Sequence, residues 1–212
     1  MAGSDLAAEL LGRMLMLPPL ELAGVVFSVL YLLLAIRESL WCWPAAFVAS
    51  VLSIVVLAEV RLYGESALNV FYAAMAVYGW YQWYYGGRRP GAVADRLAIS
   101  LWPLRVHALA LVGVLLASAA VGWTLGRYTA AAFPYFDSFV TVASILTTYM
   151  VAKKILENWI YWLVIDGLSL YLYAARELYL YAGLFALYLV LVVIGFWRWH
   201  RDWRLQLTPV AS

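Results

Sequence analysis

The chain has 212 residues, 67% of them hydrophobic and 12% charged, with a formal net charge of +2 and a mean hydropathy of +0.86. A soluble domain carries roughly 25% charged residues, so lipid rather than water is the solvent for most of this surface, and the small net charge gives no argument for a nucleic-acid partner, so none is expected. The single cysteine, Cys42, excludes an internal disulfide framework and a cysteine zinc site.

Residues 1–19 lack a Lys/Arg-led signal region and are expected to be a short extracytoplasmic segment. A bilayer core takes about 20 apolar residues as helix, and seven such spans follow: Leu20–Ile36, Leu40–Val60, Ala67–Tyr85, Ala108–Gly126, Phe133–Ala152, Trp159–Ala175 and Leu178–Trp197. Charged or glycine-rich breaks separate them, among them Arg37-Glu38, Arg61 to Glu65, the 86–91 segment, Lys153 to Glu157 and Arg176-Glu177. Residues 200–212 form a tail. Trp41, Trp83, Trp123 and Trp203 lie near span ends, where the bilayer interface favours an indole. Gly122-x-x-x-Gly126 in the fourth span permits close helix packing.

Lys and Arg accumulate on the cytoplasmic side of membrane proteins. With seven spans, the side holding the N-terminus carries four of them (Arg13, Arg61, Arg127, Arg176) and the other side ten. The N-terminus is therefore expected outside and the C-terminus in the cytoplasm.

An internal repeat is visible. Glu38, Trp43 and Ser50 recur 119 residues later as Glu157, Trp162 and Ser169, whereas Leu62-Tyr63, Tyr72 and Gly79-Trp80 recur 116 residues later as Leu178-Tyr179, Tyr188 and Gly195-Phe196. A three-residue deletion in one loop reconciles the two registers. Residues 20–85 and 133–199 are then two parallel three-helix units, joined by residues 86–126, a cytoplasmic loop and linker helix. This all-α, 3+1+3 membrane architecture is a transporter design, with substrate held between the halves near the midplane.

The stretches Arg37-Glu38-Ser39-Leu40-Trp41-Cys42-Trp43-Pro44, Tyr78-Gly79-Trp80-Tyr81-Gln82-Trp83 and Ala152-Lys153-Lys154-Ile155-Leu156-Glu157-Asn158-Trp159-Ile160-Tyr161-Trp162 resemble the PnuC family of vitamin transporters. The resemblance runs from about Leu20 to Trp199. It implies facilitated diffusion of nicotinamide riboside, trapped inside the cell by phosphorylation, a bacterial inner-membrane location, a homotrimer and a fold related to the SWEET sugar transporters. Family relatives assigned to thiamine or riboflavin leave the vitamin open.

Apart from that resemblance, Asp166 is the only acid near the middle of a span, where a charge costs about 2.5–3.5 kcal/mol unless it faces a partner or cavity. Asn158, Trp162, Asp166 and Ser169 share one stripe of the sixth span, and Asp137, Thr141, Ser144 and Thr148 one stripe of the fifth. The substrate-binding set is expected to be Asn158, Trp159, Trp162, Asp166, Ser169, Thr141, Ser144 and Thr148. At the 119-residue offset Asp166 meets Phe47 and Thr141 meets Leu22, so the site should lean on the second repeat. Trp faces attract a cation, Asn and Thr bond amides and hydroxyls, and Asp166 balances charge; a pyridinium such as nicotinamide riboside suits this set, thiamine also, and uncharged riboflavin less. The blander readings are serines and threonines bonded to their own helices, and Glu38 and Glu157 paired with Arg37, Lys153 or Lys154.

Other classes lack their parts. There is no GxSxG or HExxH, and the two histidines, His107 and His200, lie near span ends, so neither an enzyme, a metal site nor a cofactor is expected. No phosphate loop supports an ATP-driven pump, and the last span has no lysine for a retinal. A membrane small-molecule sensor that binds without transport stays open.

Overall fold

A computed structural model describes residues 18–59, 61, 63–87, 97–129 and 133–207. Arg13, Arg88, Arg89, Arg96 and Leu62, with most of the N-terminal segment and the last five residues, lie outside them. The described chain forms seven helices: α1 Pro19–Ile36, α2 Cys42–Glu59, α3 Tyr63–Tyr85, α4 Leu104–Tyr128, α5 Pro134–Ala152, α6 Asn158–Ala175 and α7 Tyr179–Leu207. Five are long and apolar enough to cross a membrane. The exceptions, α3 and α6, are those into which the sequence places Glu65, Asn69, Asn158 and Asp166.

Three boundaries differ from expectation for a common reason. An apolar-span reading stops at the first charge, but helices stop where the backbone turns. Helix α3 starts at Tyr63, so Glu65 belongs to its first turn rather than to a loop. Helix α4 starts at Leu104 and includes His107. Helix α7 continues to Leu207, and its 29 residues span about 43 Å at 1.5 Å each, well beyond the hydrocarbon core.

Helices α1, α5 and α6 end in the same way. The N–H groups of Glu38 and Ser39 return to the carbonyls of Ala35 and Leu34, those of Lys154 and Ile155 to Val151 and Met150, and those of Glu177 and Leu178 to Ala174 and Tyr173. This closure needs a left-handed residue, usually glycine. Here Glu38 (φ 51°), Lys154 (φ 51°) and Glu177 (φ 59°) occupy it, and Arg61 adopts φ 61° after α2.

These residues correct the repeat register. Glu38 aligns with Lys154 and Arg61 with Glu177, both 116 residues apart. The Trp43 ring fills the space beside Gly79 as the Trp159 ring does beside Gly195, again 116 apart. One offset therefore relates the halves throughout, with no deletion, and the 119-residue matches Trp43/Trp162, Glu38/Glu157 and Ser50/Ser169 are coincidences of an aromatic-rich sequence. In the true register Trp43 pairs with Trp159, Ser50 with Asp166 and Val25 with Thr141.

The core joins the repeats. Trp43 and Trp83 meet edge to face at 5.4 Å and 86°, Trp159 and Trp199 at 5.4 Å and 87°. Trp83 Nε1 donates to the Val151 carbonyl at 3.1 Å, and Trp199 Nε1 to the Ala35 carbonyl at 3.0 Å. Each bond crosses from one repeat to the other, and each is the symmetry mate of the other. The C-terminal ends of α1, α3, α5 and α7 thus gather at one face, as parallel repeats require. Trp83, 5% exposed, is a core residue and not the belt residue expected; Trp41 (71%) and Trp123 (58%) do stand at the surface.

Helix α4 packs on α5. Gly122 lies so close to Tyr135 that an added Cβ would come within 2.6 Å of its ring. The segment before α4 is extended and seals the α5–α6 turn, with Ser100 N–H donating to Lys154 O at 3.0 Å and Leu156 N–H to Ser100 O at 2.9 Å. His107 approaches Glu157 at 3.4 Å and bonds Tyr161 Oη through Nδ1 at 2.9 Å. Glu157 therefore pairs with the linker, not with a neighbouring lysine.

Candidate functional site

Between the repeats lies a cavity of about 430 Å³ whose lining comes from α1, α2, α3, α5, α6 and α7. Its wall is largely a set of symmetry pairs: Trp43 with Trp159, Tyr72 with Tyr188, Ser28 with Ser144, Ser53 with Ser169, Ala35 with Val151. Ser28 Oγ donates to the Gly24 carbonyl of its own helix at 2.9 Å.

The pairs that do not match give the cavity its polarity. Trp162 stands opposite Ala46, Asp166 opposite Ser50 and Thr148 opposite Leu32, all lining the cavity. The larger or more polar partner is in the second repeat each time. Asp166 is 5% exposed, on the α6 face turned to the cavity. Two more acids, Glu65 and Asp137, line the cavity from the first turns of α3 and α5, at the end opposite the tryptophan cluster. No Lys, Arg or His is among the described lining residues, so any formal charge the wall carries comes from these three carboxyls.

Seven of the eight expected site residues line this cavity: Trp159, Trp162, Asp166, Ser169, Thr141, Ser144 and Thr148. Asn158 is not among them. It is fully buried at the head of α6, donating from Nδ2 to Ile155 O at 2.6 Å. The bonding of the hydroxyls follows the blander expectation. Thr148 Oγ1 donates to Ser144 O at 2.8 Å and Ser169 Oγ to Ile165 O at 2.9 Å, which leaves those oxygens as acceptors only.

Sequence reasoning missed the first-repeat half of the wall: Tyr31, Trp43, Ser50, Glu65, Asn69 and Tyr72. The 116-residue spacing of Tyr72 and Tyr188 was the signal that could have found it, had that register been applied to the whole repeat.

One end of the cavity is closed. Ala35 and Val151, whose carbonyls receive the Trp199 and Trp83 N–H groups, line it there. Just beyond, Lys154 Nζ meets Glu38 Oε2 at 2.7 Å and sits 4.6 Å above the Trp83 ring.

Comparison with known proteins agrees with this architecture. Residues 18–201 match the family model described as nicotinamide mononucleotide transporter. The chain is similar to the riboflavin/roseoflavin transporter RibM of Streptomyces davaonensis, 28% identical over 88% of this chain and 84% of that one. It is also similar to the nicotinamide riboside transporter PnuC of Escherichia coli, 24% identical over 76% of each. The crystal structure of the vitamin B3 transporter PnuC superposes with a TM-score of 0.70 at 18% identity, covering 88% of this chain and 82% of that one, a likeness of fold. Seven helices in two parallel repeats around a cavity closed at one end, with a family match over nearly the whole described chain, make this protein a member of the PnuC family of multi-pass membrane transporters.

Proposed function

We propose that the chain carries a flat, cationic vitamin, nicotinamide riboside first, down its own gradient by alternating access, with no coupled ion or nucleotide. One observation carries this reading: a cavity walled by Trp43, Trp159 and Trp162, facing three carboxylates and no basic side chain. Aromatic faces attract a cation by about 0.5–2 kcal/mol. Asp166 supplies a counter-charge, and the Thr148 and Ser169 oxygens accept from ribose or amide N–H and O–H groups. Asn158 acts behind the wall, holding the turn from which Trp159 and Trp162 project. Transport then needs the closed end to open, and phosphorylation of the arriving substrate in the cytoplasm keeps the gradient inward.

A second reading, riboflavin as substrate, is favoured by the 28% identity to RibM. An uncharged isoalloxazine would use the same tryptophans and leave the acids without a counter-ion. The homotrimer and the inner-membrane location with the C-terminus inside belong to the same proposal and rest on family resemblance and the positive-inside rule.

Calorimetry of the purified protein with nicotinamide riboside, thiamine, riboflavin and nicotinamide, followed by flux into sealed proteoliposomes, tests the proposal. The expected result is preferential binding of nicotinamide riboside and equilibration without accumulation. Preference for riboflavin selects the second reading. Binding without flux identifies a sensor, and uphill accumulation under an imposed pH gradient overturns uncoupled transport.

A further inference from the structure

The cavity has a second end, away from the tryptophans, and the two repeats line it with different chemistry. In the 116-residue register Asn69 of α3 is the mate of Phe185 of α7, and Glu65 is the mate of Tyr181. Glu65, Asn69 and Phe185 line the cavity, together with Asp137 from the first turn of α5 and Tyr173 from the last turn of α6. Where the first repeat sets a carboxylate and an amide one turn apart, the second sets two aromatic rings.

The rings are already assembled. Tyr173 stacks on Tyr181 at 5.4 Å and 23° and on Phe185 at 5.3 Å and 14°, and Phe185 meets Tyr188 edge to face at 5.8 Å. The row runs inward from Tyr181, 47% exposed, to Tyr188, which lines the cavity. On the polar side, Asn69 Nδ2 donates to the Glu65 carbonyl at 2.9 Å, and its Oδ1 accepts from no described residue. Glu65 and Asp137 are exposed, so water reaches this end, and the ion pairs among the described residues lie at the other face. Arg176, the base that follows α6 here, lies over the Phe133 ring at 4.7 Å. Deeper in the same cavity, Asp166 is 5% exposed with no hydrogen bond or ion pair to a described residue, a buried counter-charge for a cation to reach.

We propose that this end is a capture site of its own, where a flat organic cation docks before it reaches Asp166, its ring against Tyr173 and Phe185 and its charge toward Glu65 and Asp137. The inference rests on the transport reading above and adds an entry step to it. Carboxylates at an entrance concentrate a cation there and speed its arrival, and salt cancels the effect. Aromatic rings accept a flat partner whether or not it is charged. Because the vitamin then moves on, such a site sets how fast the deep site fills and empties more than how tightly it holds.

Stopped-flow quenching of tryptophan fluorescence by nicotinamide riboside gives association and dissociation rates for the purified full-length protein, with calorimetric affinity and melting recorded alongside. The variants are Glu65→Gln combined with Asp137→Asn, and Tyr173→Leu and Phe185→Leu singly. At about 0.01 M salt the acid variant should associate about tenfold more slowly, and dissociate more slowly too, while affinity weakens by no more than about threefold. At about 1 M salt, where charges act over only about 3 Å, it should match the parent. The ring variants should slow both rates at either salt concentration. Parental rates in the acid variant, or in both ring variants, overturn the capture site, as does slowing of the acid variant that persists at high salt. Affinity lost in full proportion to the association rate, with dissociation unchanged, marks residues of the deep site and overturns it as well. A parent that binds no cationic vitamin refutes the transport reading and this inference together, whereas parental rates in the variants of a working carrier refute only the inference.

Discussion

Glu38 and Lys154 occupy the same position in the two repeats, share φ of 51°, and form an ion pair with each other at 2.7 Å. Two symmetry mates bonded to each other straddle the pseudo-twofold axis. The pair therefore joins the ends of α1 and α5 across the closed end of the cavity, beside the crossed Trp83 and Trp199 bonds. Lys154 is 5% exposed and Glu38 21%, so the bond is sheltered but reachable by water.

In the transport cycle proposed above, this pair would act as a latch on the closed end. Lys154→Met is expected to lower stability by about 1.5–3 kcal/mol, as for a charged hydrogen bond, and to shift the carrier toward opening at that face. Labelling of a reporter cysteine at position 35 from the matching side checks the shift. Because both positions offer the same backbone, the double swap Glu38→Lys with Lys154→Glu should restore most of the loss. A swap no better than either single change would sink the latch.

Left-handed backbone at non-glycine residues costs about 1–2 kcal/mol each. Glu177 occupies such a position at the exposed end of α6, with no ion pair to another described residue. Glu177→Gly should therefore stabilise the protein by about 1 kcal/mol. Glu38→Gly and Lys154→Gly relieve the same strain but lose the ion pair, and should show no net gain. Melting temperatures of the three variants in one detergent decide the matter.

Within the proposed site, Trp162→Ala should weaken substrate binding by about 1–3 kcal/mol, through lost apolar contact and the cation–π attraction. Asp166→Asn should reduce affinity for a cationic vitamin more than for an uncharged analogue of the same shape. Calorimetric titration of folded variants with both ligands tests each. Unchanged binding in both moves the site elsewhere and leaves Asp166 a structural partner.

Gly79 and Gly195 touch the Trp43 and Trp159 rings, whereas Gly113 and Gly167 have nothing within 4 Å of an added Cβ. Alanine at 79 or 195 should destabilise by about 1–3 kcal/mol through overpacking. Alanine at 113 or 167 should be neutral or stabilising by up to about 1 kcal/mol, the helix-propensity gain. Comparable melting of all four variants would contradict the packing seen here.

Arg37, Lys153, Lys154, Arg198, Arg201 and Arg204 follow or end the helices whose C-termini meet at the latched face. That face should be cytoplasmic. A C-terminal reporter active only outside the cytoplasm is expected to stay silent, and a clear signal would reverse the topology.

Much of this was legible in the residues alone, because a bilayer imposes a length and an apolar composition on every span. That is why seven helices and the alternation of basic loops could be read directly, and why Asp166, intolerable to lipid, pointed to a cavity. The second-repeat stripes were legible for the same reason: i, i+4 spacing on a single helix is local geometry. The register of the repeat was not. Trp43 can be aligned with Trp159 or Trp162 by composition, and only the wedge against Gly79 and Gly195, with the shared φ of Glu38 and Lys154, decides for Trp159. Nor could the sequence tell that Trp83 crosses to Val151, that Lys154 finds Glu38 rather than Glu157, or that Asn158 lies behind the wall. Those outcomes depend on which helix faces meet across the axis, and partners 68 to 116 residues apart leave no periodic trace along the chain.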